Sequence, residues 1–216
     1  MSWRTGTVST SLGKKYIMSL TGLLLGGFLL LHAGGNATIF FGRSSFLAYT
    51  ELLRAVKFAV AAAEVLLLAL FLTHVTTGLL LTLRNLGARP QRYAVSGSAG
   101  GRTWGSATMP YTGLVSLGFL LLHLSNIRFI GQDAILADIV VAVLGRPLYA
   151  VLYAIGLVAL ALHISHGFWS LFQSLGINHP RYDRLLRSSA WLAAGLIITV
   201  YILIVLLLAV NSNQLA

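Results

Sequence analysis

Four of the six histidines in this chain fall one to each of the first four long apolar runs: His32, His74, His123 and His163. A fifth, His166, follows His163 by three residues, and His179 lies between the last two runs. Ionisable side chains are expensive in hydrocarbon, so those that persist there face a bundle interior and mark a functional path. A neutral imidazole is also the commonest protein ligand for a metal. Cysteine is absent, which excludes iron–sulfur ligation, thiolate-ligated haem, covalent attachment of c-type haem, and disulfides. With only five carboxylates in the chain, histidine is the ligand type present in number.

The elements that must position these rings follow from composition. The 216 residues are 57% hydrophobic and 9% charged, with mean hydropathy +0.84. A soluble domain carries about 25% charged residues, so this chain cannot cover a water-facing surface and is expected to be an all-α integral membrane protein. Five runs can cross a hydrocarbon layer about 30 Å thick. Helix I is expected over roughly Tyr16–Phe41, helix II over Ala55–Leu83, helix III over Met109–Ile130, helix IV over Leu148–Phe172 and helix V over Ala190–Val210. They form a single membrane domain, residues 1–216. Helix I continues well past the apolar length of a signal peptide and contains His32, so it is expected to be retained. No internal repeat is evident, and the piece SGSAGG at Ser96–Gly101 has the composition of a flexible loop.

Net charge is +10, but the basic residues flank apolar spans and form no stripe interleaved with aromatics. Lipid, not nucleic acid, is the partner this distribution fits. One side carries Arg4, Lys14, Lys15, Arg84, Arg89, Arg92, Arg102, Arg181, Arg184 and Arg187 against Asp183 alone. The other carries Arg43, Arg54, Lys57, Arg128 and Arg146 against Glu51, Asp133 and Asp138, leaving Glu64 inside a span. The bias predicts a cytoplasmic N terminus in the cell inner (cytoplasmic) membrane.

With 1.5 Å of rise per residue, His32 and His123 lie about 22 and about 21 Å above the cytoplasmic ends of their helices. His74 and His163 each lie about 13 Å above theirs. Two pairs at matched depths, each drawn from different helices, suit two b-type haems with two axial imidazoles apiece. A lone histidine is readily explained by hydrogen-bonded packing, and a proton relay or metal transporter would also use histidines but would bring intramembrane acids. Gly78 and Gly167, each four residues after a ligand, would clear room for a disc, as would Gly22, Gly26 and Gly27. His166 lies about 300° around the helix from His163 and most of a turn nearer the cytoplasm. It is therefore expected to contact a haem propionate or a quinone headgroup instead of the iron, or simply to pack.

Three segments carry a family resemblance: LTHVTTGLLLTLRNLGARPQRY, ATMPYTGLVSLGFLLLHL and ALHISHGFWSLFQSLGINHPRY. In this order and spacing the chain resembles the cytochrome b membrane anchor of succinate dehydrogenase and fumarate reductase, in its single-chain, five-helix, dihaem form. The resemblance covers nearly the whole chain. It implies helices I–IV bundled around two haem b groups, with His74 and His163 holding the cytoplasmic-side haem and His32 and His123 the outer one. It implies a flavoprotein subunit and an iron–sulfur subunit on the cytoplasmic face, with menaquinone or ubiquinone as the membrane substrate. The dicarboxylate chemistry would then belong to the partners. Arg84, Arg89, Arg92, His179, Arg181 and Arg184 would be candidates for docking them or for pairing propionates. Where some dihaem relatives carry a glutamate two residues before the helix IV ligand, this chain has Ala161, so no proton route through that position carries over. The alternatives are a nitrate reductase-like dihaem anchor, which gathers its ligands on two helices, and a haem-free transporter or assembly protein.

Overall fold

The computed structural model describes residues 10–88, 104–130, 135–177 and 179–210, and among them every regular element is helical. Helix α1 (Ser11–Asn36) is capped by Thr10, whose side-chain oxygen accepts from the Gly13 N–H at 3.1 Å. A tight 3₁₀ turn (Ala37–Phe41) leads to Gly42, whose φ of 97° lies in the left-handed region that glycine adopts without strain. Helix α2 (Arg43–Ala55) follows, then α3 (Lys57–Gly87) and α4 (Trp104–His123). The last of these passes into a π-helical turn at Leu124–Arg128, directly after His123. The short α5 (Leu136–Leu144) precedes α6 (Pro147–Ser174), which has proline at its first position where no N–H is needed. Helix α7 (Pro180–Val210) ends the described chain.

Five helical stretches are long and apolar enough to cross a membrane: Ser11–Phe41, Lys57–Gly87, Trp104–Arg128, Pro147–Ser174 and Pro180–Val210. The protein is multi-pass by this measure, and its surface is correspondingly greasy, with Phe58, Leu66, Leu192 and many other large apolar side chains exposed. Three helix starts differ from expectation by five residues or more. Helices α1 and α4 begin at Ser11 and Trp104, each five residues early, and α7 begins at Pro180, ten residues early. Arg181, Asp183, Arg184 and Arg187 therefore lie on the first turns of α7 and not in a loop; Asp183 and Arg187, one turn apart, form an ion pair at 2.7 Å. Arg4, Arg89, Arg92, Arg102, Asp133 and the SGSAGG piece lie outside the described residues.

Around the bundle the order is α3, α1, α6, α4, with only slight contact between α3 and α4; α7 packs outside, chiefly on α6. Helices α1 and α4 therefore stand on one diagonal, and α3 and α6 on the other. The end where α1, α4 and α7 start is termed the basic end. The buried apolar core lies at the opposite end, where Phe46 of α2 and Ala137 and Val143 of α5 join Tyr153, Leu157 and Leu208. An Arg43–Asp138 ion pair at 2.7 Å ties these two short helices together. Neither short helix is foreseen by the span pattern. Toward the bundle middle the buried residues turn polar: the only one α3 contributes is Thr77, and the only one α4 contributes is Thr112.

Candidate functional site

The histidine rings meet across both diagonals. His32 of α1 and His123 of α4 have ring centroids 6.0 Å apart with planes at 80°. His74 of α3 and His163 of α6 are 6.3 Å apart with planes at 74°. These are the pairs that the depth count sorts together. All four rings are half-buried. Around the first pair the walls are aromatic: Phe28 stacks on His32 at 5.3 Å, Tyr201 lies 5.9 Å from it, and Tyr153 lies 6.1 Å from His123. The Asn36 amide nitrogen donates to the His32 carbonyl at 2.7 Å and stands 3.4 Å from its Nδ1.

The second pair is held by hydroxyls that the sequence reading did not single out. Thr21 Oγ1 of α1 lies 3.0 Å from His74 Nδ1, and Thr112 Oγ1 of α4 lies 3.3 Å from His163 Nδ1. Each hydroxyl also donates its one proton to its own helix: Thr21 to the Ile17 carbonyl at 2.7 Å, Thr112 to the Thr108 carbonyl at 3.1 Å. A hydroxyl that gives its one proton to its own helix accepts from the ring. With that assignment both imidazoles carry their proton on Nδ1 and leave the Nε2 lone pair free, a tautomer suited to metal ligation with the other nitrogen oriented by a hydrogen bond.

The glycines divide into two kinds. A Cβ on Gly26, Gly27 or Gly167 would meet nothing within 4 Å, so those faces are open. A Cβ on Gly78 would touch the Met18 methyl at 3.5 Å, and one on Gly22 would stand 3.3 Å from His74 Cε1. Gly22 therefore seats a histidine ring, a different role from clearing space. Gly113, absent from the sequence expectations, does the same for His163 at 3.2 Å.

His166 is not aimed at the His74–His163 pair. Its ring lies 5.5 Å from that of Trp169 and against Gly105, where any Cβ would collide with it. Trp169 in turn donates to Asp183 Oδ1 at 2.9 Å, and the Arg187 guanidinium sits 4.1 Å over its ring. His179 caps the start of α7, its Nδ1 accepting from the Arg181 N–H at 3.1 Å. Glu64, the acid that the sequence pattern puts inside a span, makes a bidentate pair with Arg128 at 2.9 and 3.1 Å, bridging α3 to the π turn after α4.

Family models, curated proteins and solved structures were all compared with the chain. None matches it. The site must be interpreted from its own geometry. Among the described residues no cluster of three or more histidine, aspartate or glutamate side chains could hold a bare metal ion. Paired imidazoles from diagonally facing helices would instead hold a metal that brings its other donors with it, as a haem does, and centroids 6.0 and 6.3 Å apart would leave room for one between the rings.

Proposed function

We propose that this chain is the dihaem cytochrome b anchor of a succinate:quinone oxidoreductase, acting as succinate dehydrogenase or as quinol:fumarate reductase. The observation that carries the reading is the pair of crossed diagonals, with four histidines on four helices meeting as two opposed pairs at 6.0 and 6.3 Å. His74 and His163 would hold the haem nearer the basic end, and His32 and His123 the other. Each haem, when bound, supplies a one-electron iron couple. The chain's own part is to present two neutral imidazoles per site, orient those of the basic-end pair through Thr21 and Thr112, and wrap both pairs in helices.

In this reading the chain conducts electrons between an iron–sulfur subunit and membrane quinone, while a flavoprotein subunit carries the dicarboxylate chemistry. Arg84, Arg181, Arg184 and Arg187 are exposed at the basic end, where positive-inside bias places the cytoplasm and the partner subunits. His166, beside Trp169 at that end, is the group proposed to touch a propionate or a quinone headgroup. Spread over four helices, the ligands favour this anchor over one that gathers them on two. Purification of the chain with its bound partners, followed by an optical spectrum and subunit identification, tests the proposal. A reduced-minus-oxidised b-type spectrum with flavoprotein and iron–sulfur subunits is expected. A preparation without a Soret band would overturn it.

A further inference from the structure

Helices α1 and α4 carry the same pattern in register. Met18-x-x-Thr21-Gly22-Leu23 leads to Gly27-Phe28-Leu29-Leu30-Leu31-His32 on one, and Met109-x-x-Thr112-Gly113-Leu114 leads to Gly118-Phe119-Leu120-Leu121-Leu122-His123 on the other. The two stretches agree at ten of fifteen positions, so an internal repeat exists where none was expected. Its spacing has a physical meaning. Eleven residues make three helical turns to within about 20°, so the threonine and the histidine share one face, about 16 Å apart along the axis. Each helix thus offers one face that serves both layers. Its histidine enters the pair at one level, and its threonine reaches a histidine of the other diagonal at the next.

We propose that Thr21-Gly22 and Thr112-Gly113 are matching seats, and that Thr21 and Thr112 are positioning residues for His74 and His163. The inference rests on the dihaem reading and deepens it. The threonine oxygen takes the Nδ1–H at 3.0 and 3.3 Å, while the adjacent glycine lets the ring edge lie against the helix, 3.3 and 3.2 Å from where a Cβ would stand. Both threonines are buried, so water does not compete for the bond. A hydrogen bond of this kind increases the basicity of the ligating nitrogen. A more basic ligand favours ferric over ferrous iron, so the seat holds down the potential of the basic-end haem specifically.

The test uses the whole purified complex with Thr21→Val, Thr112→Val and the corresponding serine variants. Valine keeps the shape and removes the acceptor, whereas serine restores it. Redox titration followed optically should show the basic-end haem rising in midpoint potential in either valine variant. The other haem should stay at its wild-type value, and serine should bring the shifted one back. Haem retention at the basic-end site should fall about 10- to 100-fold. Wild-type complex with two haems and valine variants unchanged in both readouts would overturn the seats alone. The same holds for a shift confined to the far haem, or one that serine does not reverse. Wild-type complex without haem would overturn the dihaem reading and the seats with it. The two valine changes lie on different helices, so the loss of one to misfolding leaves the other to decide.

Discussion

His74 and His163 face each other at 6.3 Å from α3 and α6, which stand diagonally across the bundle with α1 packed between them on one side. The planes of the two rings cross at 74°, and those of His32 and His123 at 80°. In the proposed dihaem chain, iron held between imidazoles so crossed would have the d orbitals that share their π electrons nearly equal in energy. The ferric protein is then expected to give strongly anisotropic low-spin electron paramagnetic resonance signals from both sites. Ordinary rhombic signals of the kind coplanar imidazoles produce would contradict the ring geometry at both sites.

The two histidines of α6 should behave differently. His163→Ala would remove a ligand of the proposed basic-end haem and is expected to eliminate that haem, leaving the far one in place. His166→Ala removes a ring that rests on Trp169 and Gly105, so both haems should remain. Haem content and the low-temperature optical spectrum check this. Retention of both haems in His163→Ala, with loss in His166→Ala, would reverse the roles.

Much of this site is legible in the sequence because an imidazole within an apolar run is conspicuous, and counting residues from each span's cytoplasmic end sorts four of them into two levels. Thr21 and Thr112 are not conspicuous in that way. A threonine in an apolar helix ordinarily turns its proton back to its own carbonyl, as both do, and nothing in one helix shows that a second helix brings a ring to the same oxygen. Laying helix I on helix III would have exposed the shared Thr-Gly and Leu-Leu-Leu-His, since the register is the only clue. Helices α2 and α5 escaped for a different reason: at thirteen and nine residues they are too short to span. The start of α7 escaped because its first turns are charged, and hydropathy marks only where a helix is greasy.

Packing at the far end has its own test. On α6, a Cβ at Gly156 would collide with the Phe119 ring, which stacks edge-on against Tyr153 one turn from His123. Gly156→Ala should cost roughly 1–3 kcal/mol through overpacking and disturb the proposed far-end haem site first. Gly195→Ala, where a Cβ meets nothing within 4 Å, should be neutral or slightly stabilising. Thermal denaturation of the two variants side by side distinguishes them, and equal effects would contradict the α4–α6 contact.

Glu64 and Arg128 form a second testable pair. Because they bridge α3 to the π turn after α4, where those helices otherwise barely touch, the bond should matter more than an ordinary surface pair. Glu64→Gln and Arg128→Gln should each destabilise the purified protein, since either weakens the ionic link that ties α3 to the turn after α4. The double variant should lose less than the sum of the two. Strict additivity of the three melting shifts would show that the pair is not coupled.

Orientation follows from charge and can be checked without the fold. A cysteine introduced at Ser98 should react with an impermeant thiol reagent only from the cytoplasmic side, and one at Asn213 only from outside. The chain has no cysteine of its own to confuse the readout. Reversed labelling would move the proposed docking face to the other side of the membrane.

The most direct measurement of the central claim is haem stoichiometry by the pyridine haemochrome method, on wild-type protein and on the four single histidine variants. The wild type should hold two haem b per chain. His32→Ala and His123→Ala should lose one and the same haem, and His74→Ala and His163→Ala the other. Wild-type protein with one haem or none, or a common loss in His32→Ala and His74→Ala, would contradict the account.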